Sequence, residues 1–97
     1  MASKKKFTLA RCKDGFTVSV QAGSRHYCEP RTDVGPWSSL ELGFPSERDE
    51  LIMEYAEDPG SPTHTVYGWV PWNIVYDLFE KHGGLIDGCV LPATSAT

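Results

Sequence analysis

The chain has 97 residues, of which 40% are hydrophobic and 23% are charged, with nine Lys or Arg against thirteen Asp or Glu. These proportions are typical of a globular protein, and the length leaves room for one hydrophobic core, so we expect a single domain over residues 1–97. No stretch approaches the roughly 20 apolar residues of a membrane-spanning helix, so no membrane partner is predicted.

The chain begins with a basic segment followed by a predicted β-hairpin. Residues 1–6 are expected to form a flexible start, and they lack the apolar stretch of a secretion signal, which favours a cytoplasmic protein. Residues 7–12 and 16–21 are rich in β-forming residues and flank the dipeptide Asp14-Gly15. Asp-Gly is typical of hairpin turns because glycine readily adopts a positive φ.

The middle of the chain combines predicted strands with an acidic segment that fits two structures. Residues 25–28 are predicted as a short strand and residues 29–36, which contain two prolines and a glycine, as a surface loop. Alternating apolar residues predict another strand over 38–44. A serine followed by acidic residues predicts a helix over 47–56, and an irregular strand through 51–55 is the alternative.

The C-terminal part predicts a strand, a helix and a short last strand. Residues 64–70 are β-branched and aromatic, and Gly68 within them marks a candidate bulge. Apolar residues recur at helical spacing over 71–82, before a Gly-Gly stop signal. Residues 85–91 predict a terminal strand and 92–97 a flexible tail. The order of elements predicts an α+β fold, with a small, mainly antiparallel sheet, an N-terminal β-hairpin and one packed helix near the C-terminus.

No sequence pattern indicates a catalytic centre, so we predict a non-enzymatic protein without a cofactor or metal ion. The three cysteines lack the paired spacing of structural zinc sites, and we expect them to be reduced and buried. A small metal or thiol site at Cys12, His26 and Cys28 is the alternative, because these residues supply atoms that zinc accepts.

Basic and acidic residues are segregated along the chain. Residues 1–28 contain six Lys or Arg and one Asp, whereas residues 29–60 contain nine Asp or Glu and two Arg. Carboxylates on a rigid surface can imitate nucleic-acid phosphates and attract a basic groove of another protein. Trp69 is predicted to pack in the core, whereas two other tryptophans are candidate interface anchors. The predicted partner-binding residues are Glu41, Glu47, Asp49, Glu50, Glu54, Glu57, Asp58, Trp37 and Trp72.

Two other partners fit parts of the sequence. Nucleic acid is the alternative to a basic protein, because basic residues of the N-terminal hairpin are interleaved with aromatic residues that could stack on bases. The acidic balance of the whole chain argues against it. A homodimer contact through the two candidate anchors is a further alternative. The residues of the nucleic-acid hypothesis are Lys4, Lys5, Lys6, Arg11, Lys13, Arg25, Phe7, Phe16 and Tyr27.

Four short sequence strings resemble small uncharacterised proteins encoded by bacteriophages and prophages. These strings are GPWSSLELGFPS at 35–46, YAED at 55–58, TVYGWVP at 65–71 and EKHGG at 80–84. The resemblance implies no catalytic residue. It implies a phage accessory protein that acts in the cytoplasm of a bacterial host, where such proteins often bind and modulate a host protein.

Overall fold

The computed structural model of the chain describes residues 7–22, 28–29 and 38–88. The strands found there are β1 (Phe7–Cys12), β2 (Thr17–Gln21), β3 (Ser39–Gly43), β4 (Val66–Pro71) and β5 (Leu85–Asp87). One α-helix, α1 (Trp72–Lys81), and one 3₁₀ turn, Met53–Tyr55, complete the elements of this part of the chain.

The five strands form an antiparallel sheet with the order β4-β3-β2-β1-β5 in the described residues. Each of the first four strands pairs with its neighbour in the sequence. Helix α1 then carries the chain from β4, at one edge, to β5, at the opposite edge. The predicted α+β fold, with an N-terminal hairpin and one helix near the C-terminus, is confirmed.

The β1–β2 hairpin closes through the predicted Asp-Gly turn. Gly15 has a φ of 99°, and the Cys12 N–H donates to the Phe16 carbonyl oxygen at 2.9 Å. The Asp14 carboxylate accepts a hydrogen bond from the Phe16 N–H, also at 2.9 Å. Glycine supplies the left-handed conformation, and the aspartate satisfies a backbone donor that the turn leaves unpaired.

The core lies between one face of the sheet and α1. Cross-strand pairs on this face include Ala10 opposite Val18 and Val20 opposite Leu42, and all four side chains are fully buried. The side chains that α1 contributes to the core are Val75, Leu78 and Phe79. The helical spacing of these three residues confirms the apolar face predicted from the sequence.

Helix α1 was predicted over 71–82 and is observed over Trp72–Lys81. Pro71 is its N-cap and His82 its C-cap, and the chain leaves the helix through Gly83, whose φ is 92°. Glycine ends helices in this way because it adopts positive φ without strain. No helix in the part of the chain that the structure describes is long and apolar enough to span a membrane.

Strand β4 contains a bulge that changes which side chains face the core. Leu40 pairs with Val70 and Leu42 with Tyr67, so two steps along β3 match three steps along β4. The extra residue lies at Gly68 and Trp69, as the glycine predicted, and Trp69 has a φ of 51°. Both Tyr67 and Val70 therefore face the core. The prediction that Trp69 is a core residue is wrong, because the bulge leaves it 47% exposed.

The predicted helix over 47–56 is wrong, and so is the alternative strand. This segment forms turns and the short 3₁₀ turn instead. The Ser46 hydroxyl accepts the Thr17 N–H at 3.0 Å, so it does not cap a helix. The Asp49 carboxylate accepts the Leu51 N–H and is bound by other side chains, and Ile52 turns into the core. Tertiary contacts therefore override the local helical signal.

Several predicted segments lie wholly or largely outside the described residues. They are the flexible start, the strand over 25–28, the loop over 29–36, the second half of the strand over 85–91 and the tail over 92–97. Within these segments, Cys28 is buried and Glu29 forms an isolated antiparallel bridge with Ser39. The first half of the last strand is observed as β5, paired with β1.

We expect replacement of Gly88 by alanine to destabilise the protein by about 1–3 kcal/mol. Gly88 follows β5 with a φ of 80°, and a Cβ there would overlap the carbonyl group of Leu9 in β1. Since the obstacle is backbone, the end of β5 would have to move away from β1. Gly60→Ala is the matched control, because its Cβ would meet only the Asp58 carboxylate at 3.4 Å. Urea denaturation measures both; equal midpoints would contradict the expectation.

Candidate functional site

The structure divides the predicted acidic binding residues into an exposed group and a buried pair. The exposed residues are Glu47, Glu50, Glu54, Glu57 and Asp58. Glu41, on β3, is only 7% exposed and Asp49 only 4% exposed. Neither buried carboxylate is available to a partner surface, so the inclusion of these two residues is corrected. The acidic face is therefore built by the chain between residues 47 and 58.

This acidic segment is fixed to the open side of strand β4. Ala56 forms an isolated antiparallel bridge with Tyr67, and the Glu57 N–H donates to the Val66 carbonyl oxygen at 2.9 Å. The Asp58 N–H donates to the Thr65 hydroxyl at 3.1 Å. Three successive residues of the segment are thus tied to the β4 side of the sheet. These hydrogen bonds therefore fix the position of the main chain that bears the neighbouring acidic side chains.

An open groove of about 440 Å³ lies where this segment meets the bulge of β4. We call it the acidic groove. The residues that line it are Glu54, Tyr55, Glu57, Gly68 and Trp69. Its lining thus brings together two glutamates, a tyrosine and a tryptophan. The sequence alone pointed to several of these residues singly, but not to their meeting in one groove.

Within the described residues, the carboxylates of the acidic groove have no ion-pair partner. No described Lys or Arg forms an ion pair with Glu54 or Glu57, whereas Glu50 is paired with Arg48. Partial burial and then the neighbouring carboxylate of Glu54 raise the pKa of Tyr55 above its ordinary value, so the phenol stays neutral. The groove therefore presents negative charge beside aromatic rings, a combination that favours a cation.

Of the two predicted tryptophan anchors, the structure describes only Trp72. Trp72 is half-buried and packs against the core, and its backbone N–H donates to the Ser38 carbonyl oxygen at 3.0 Å. Trp37 lies outside the described residues. The tryptophan that the structure places at the groove is Trp69. Gly68 is the sequence feature that could have indicated this position, because a bulge at Gly68 moves the next side chain to the opposite face of the sheet.

A second cluster, not predicted from the sequence, surrounds His82 at the end of α1. The ring Nδ1 lies 2.7 Å from Asp14 Oδ2, and Nε2 lies 2.7 Å from Asp49 Oδ2. Asp49 Oδ1 also accepts a hydrogen bond from Lys81 Nζ at 2.9 Å. The imidazole stacks on Phe16, with ring centroids 4.0 Å apart and planes 9° apart. His82 is only 5% exposed.

This geometry requires His82 to be the doubly protonated imidazolium when both carboxylates are ionised. Ionised carboxylates only accept hydrogen bonds, so each ring nitrogen must donate one. Burial alone would lower the pKa of His82, but its hydrogen bonds to Asp14 and Asp49 outweigh burial and raise it. Burial alone would raise the pKa of Asp49, but donors from Lys81, Leu51 and His82 outweigh burial and lower it. The cluster is then electrically balanced.

The His82 cluster is suited to holding the fold together rather than to catalysis. Both ring nitrogens are engaged, and the ring is covered by Phe16, so the imidazole has no lone pair to accept a proton from a substrate. Backbone contacts follow the same path, because the Asp14 N–H donates to the His82 carbonyl oxygen at 3.1 Å. The cluster joins the β1–β2 turn, the acidic segment and the end of α1.

The structure offers little for the metal or thiol hypothesis. Cys12 and Cys28 are both buried, as predicted, whereas His26 and Cys89 lie outside the described residues. Burial and then the Asp14 carboxylate raise the pKa of the Cys12 thiol, which is the opposite of an activated nucleophile. No group of three or more potential ligands that could hold a metal ion is found within 7–22, 28–29 and 38–88.

The nucleic-acid hypothesis loses one of its stacking residues. Phe16 is 3% exposed and covers His82, so it is not available to a base. Arg11 pairs with Asp87 at 3.6 Å, and Lys13 is exposed. The other basic residues of this hypothesis, three lysines at 4–6 and Arg25, lie outside the described part of the chain.

Comparisons of the chain with protein family models, with curated proteins and with solved structures find no match.

Proposed function

We propose that the protein is a non-enzymatic interaction module that binds a basic surface of another protein through its acidic segment. The observation that carries this proposal is the acidic groove, where Glu54 and Glu57, which pair with no described Lys or Arg, share the lining with Tyr55 and Trp69. Long-range attraction by the exposed carboxylates would speed encounter, and the aromatic groove would hold the partner once it has docked.

The resemblance to phage-encoded accessory proteins fits this proposal. Such a protein would act in the cytoplasm of a bacterial host, and its basic partner would be a host protein. The residues now proposed to contact this partner are Glu47, Glu50, Glu54, Glu57, Asp58 and Trp69, together with Trp37, which lies outside the described residues. Glu41 and Asp49 leave the set because they are buried, and Trp72 leaves it because it packs against the core.

Reversing the charge of the groove is expected to weaken binding of a basic peptide about tenfold or more. The probe is a fluorescein-labelled peptide in which lysine and arginine alternate with serine, and its affinity is measured by fluorescence anisotropy. Glu54→Lys with Glu57→Lys replaces attraction by repulsion at the site, and a tenfold loss corresponds to about 1.4 kcal/mol. Binding to the wild type should also weaken between about 0.01 M and about 0.1 M ionic strength.

The matched control is Asp77→Lys with Glu80→Lys, on the exposed side of α1. It changes the net charge by the same amount but leaves the acidic groove intact, so it should lose much less affinity. If both double variants weaken binding equally, only net charge matters and the proposed site is wrong. A wild type that shows no salt-dependent binding of the basic peptide would overturn the proposed function itself.

A further inference from the structure

The acidic groove is lined by aromatic residues as well as by acidic ones. The aromatic residues indicate which kind of cationic side chain would fit it best. Glu54 and Tyr55 come from the 3₁₀ turn, Glu57 follows it, and Gly68 and Trp69 form the bulge of β4. A purely electrostatic surface would need no aromatic wall. Here Trp69, a residue that is 47% exposed, lines the same groove as Glu54 and Glu57.

Lysine and arginine make different use of such a groove. The guanidinium of arginine is planar, stacks on aromatic faces and donates paired hydrogen bonds to a carboxylate. It is also less strongly hydrated than the ammonium of lysine, so it loses less on leaving water. Lysine carries a compact charge that a carboxylate attracts equally well without any ring beside it. An aromatic wall beside carboxylates therefore favours arginine.

The backbone around the groove keeps Trp69 on the outside of the sheet. Tyr67 and Val70 are fully buried on either side of the bulge, and the backbone of Trp69 takes a positive φ between them. The opposite wall is fixed by the bridge between Ala56 and Tyr67. Since both walls are attached to the same strand, the spacing between the carboxylates and the indole is set by β4 and not by a free loop.

We infer that the acidic groove is a subsite for a single arginine side chain of the partner, stacked on Trp69 and hydrogen-bonded to Glu54 or Glu57. This inference rests on the proposed function and specifies its partner: the basic surface would present an arginine at the point that meets the groove. Charge complementarity selects a cation, and the aromatic wall selects a guanidinium over an ammonium.

The test compares two peptides of equal length and charge, one with arginine and one with lysine alternating with serine. We expect the wild type to bind the arginine peptide about three- to tenfold more tightly. Trp69→Leu, which keeps an apolar side chain but removes the ring, should abolish this preference. Tyr76→Leu is the matched control, because Tyr76 is an exposed aromatic residue of α1 that does not line the groove. Far-UV circular dichroism verifies folding of both variants.

The outcomes separate this inference from the proposed function. Equal binding of the two peptides by the wild type, still weakened by Glu54→Lys with Glu57→Lys, would overturn the arginine subsite and leave the acidic surface standing. A preference for arginine that persists in Trp69→Leu would also overturn it, because the ring would not be its source. If neither peptide binds the wild type, both proposals fall.

Discussion

Replacement of His82 by glutamine is expected to lower the free energy of unfolding by about 3–5 kcal/mol, a large part of the stability of a small domain. Glutamine cannot donate to Asp14 and Asp49 at once with the geometry of the ring, and it carries no charge. Asp49, whose side chain is almost fully buried, would then keep Lys81 as its one charged donor among the described residues. Removing one partner of a buried charge pair is costly because the other stays desolvated.

Urea denaturation followed by circular dichroism measures this loss. The matched control is His64→Gln, because His64 is exposed and, among the described residues, its ring hydrogen-bonds with the neighbouring Thr63 hydroxyl at 3.1 Å and forms no ion pair. Lys81→Met provides a milder variant of the same cluster, with an expected loss of about 1 kcal/mol since Lys81 is partly solvated. The expected order of stability is His64→Gln, then Lys81→Met, then His82→Gln. Equal midpoints for the two histidine variants would show that the His82 cluster contributes nothing.

The elements that the sequence predicts well are those defined by residues close together in the chain. The hairpin follows from Asp14-Gly15 between two alternating runs, and α1 follows from apolar residues at helical spacing before Gly83. In both cases the local pattern and the final packing agree, so no distant contact is needed to place the element.

The acidic segment shows where local patterns fail. Residues 47–56 carry a plausible helix start, but their structure depends on partners that are distant in sequence. His82 is 33 residues from Asp49 and 68 residues from Asp14. A helix would have to give up these contacts and the bridge of Ala56 to Tyr67. No spacing rule applied to the sequence could have brought these groups together.

The acidic groove was predictable only in its components. The exposed position of Trp69 depends on one extra residue in β4, and that changes which face of the sheet the ring occupies. Gly68 indicates a bulge in the sequence, but the sequence does not show that this bulge turns Trp69 out of the core. The meeting of Trp69 with Tyr55 then depends on how the 3₁₀ turn attaches to β4. Charge segregation identifies the acidic segment, and the tertiary structure determines which of its carboxylates are exposed.

The pH dependence of stability is expected to show two losses with different origins. The ordinary pKa of aspartate is 3.8, and hydrogen bonds hold the pKa of Asp14 and Asp49 below it in the folded protein. Their contribution is present above pH 3.8 and is lost as the pH falls through the folded pKa. The folded pKa of His82 is raised above its ordinary 6.5, so its contribution is complete below pH 6.5 and is lost as the pH rises through the raised value.

The loss of stability at high pH gives the sharper test, because a single substitution, at His82, removes the group that causes it. Between pH 6.5 and the folded pKa of His82, the unfolded chain has released a proton that the folded protein retains. Stability should therefore fall with a slope of up to about 1.4 kcal/mol per pH unit, and His82→Gln should lack this slope. The groups around the ring are Asp14, Asp49, Lys81 and, with its carboxylate 4.0 Å from Nδ1, Glu47. The test is to measure the urea midpoints of the wild type and of His82→Gln across pH 5–9. Parallel curves would mean that the folded protein does not hold this proton, so that a neutral imidazole would donate to only one of the two carboxylates.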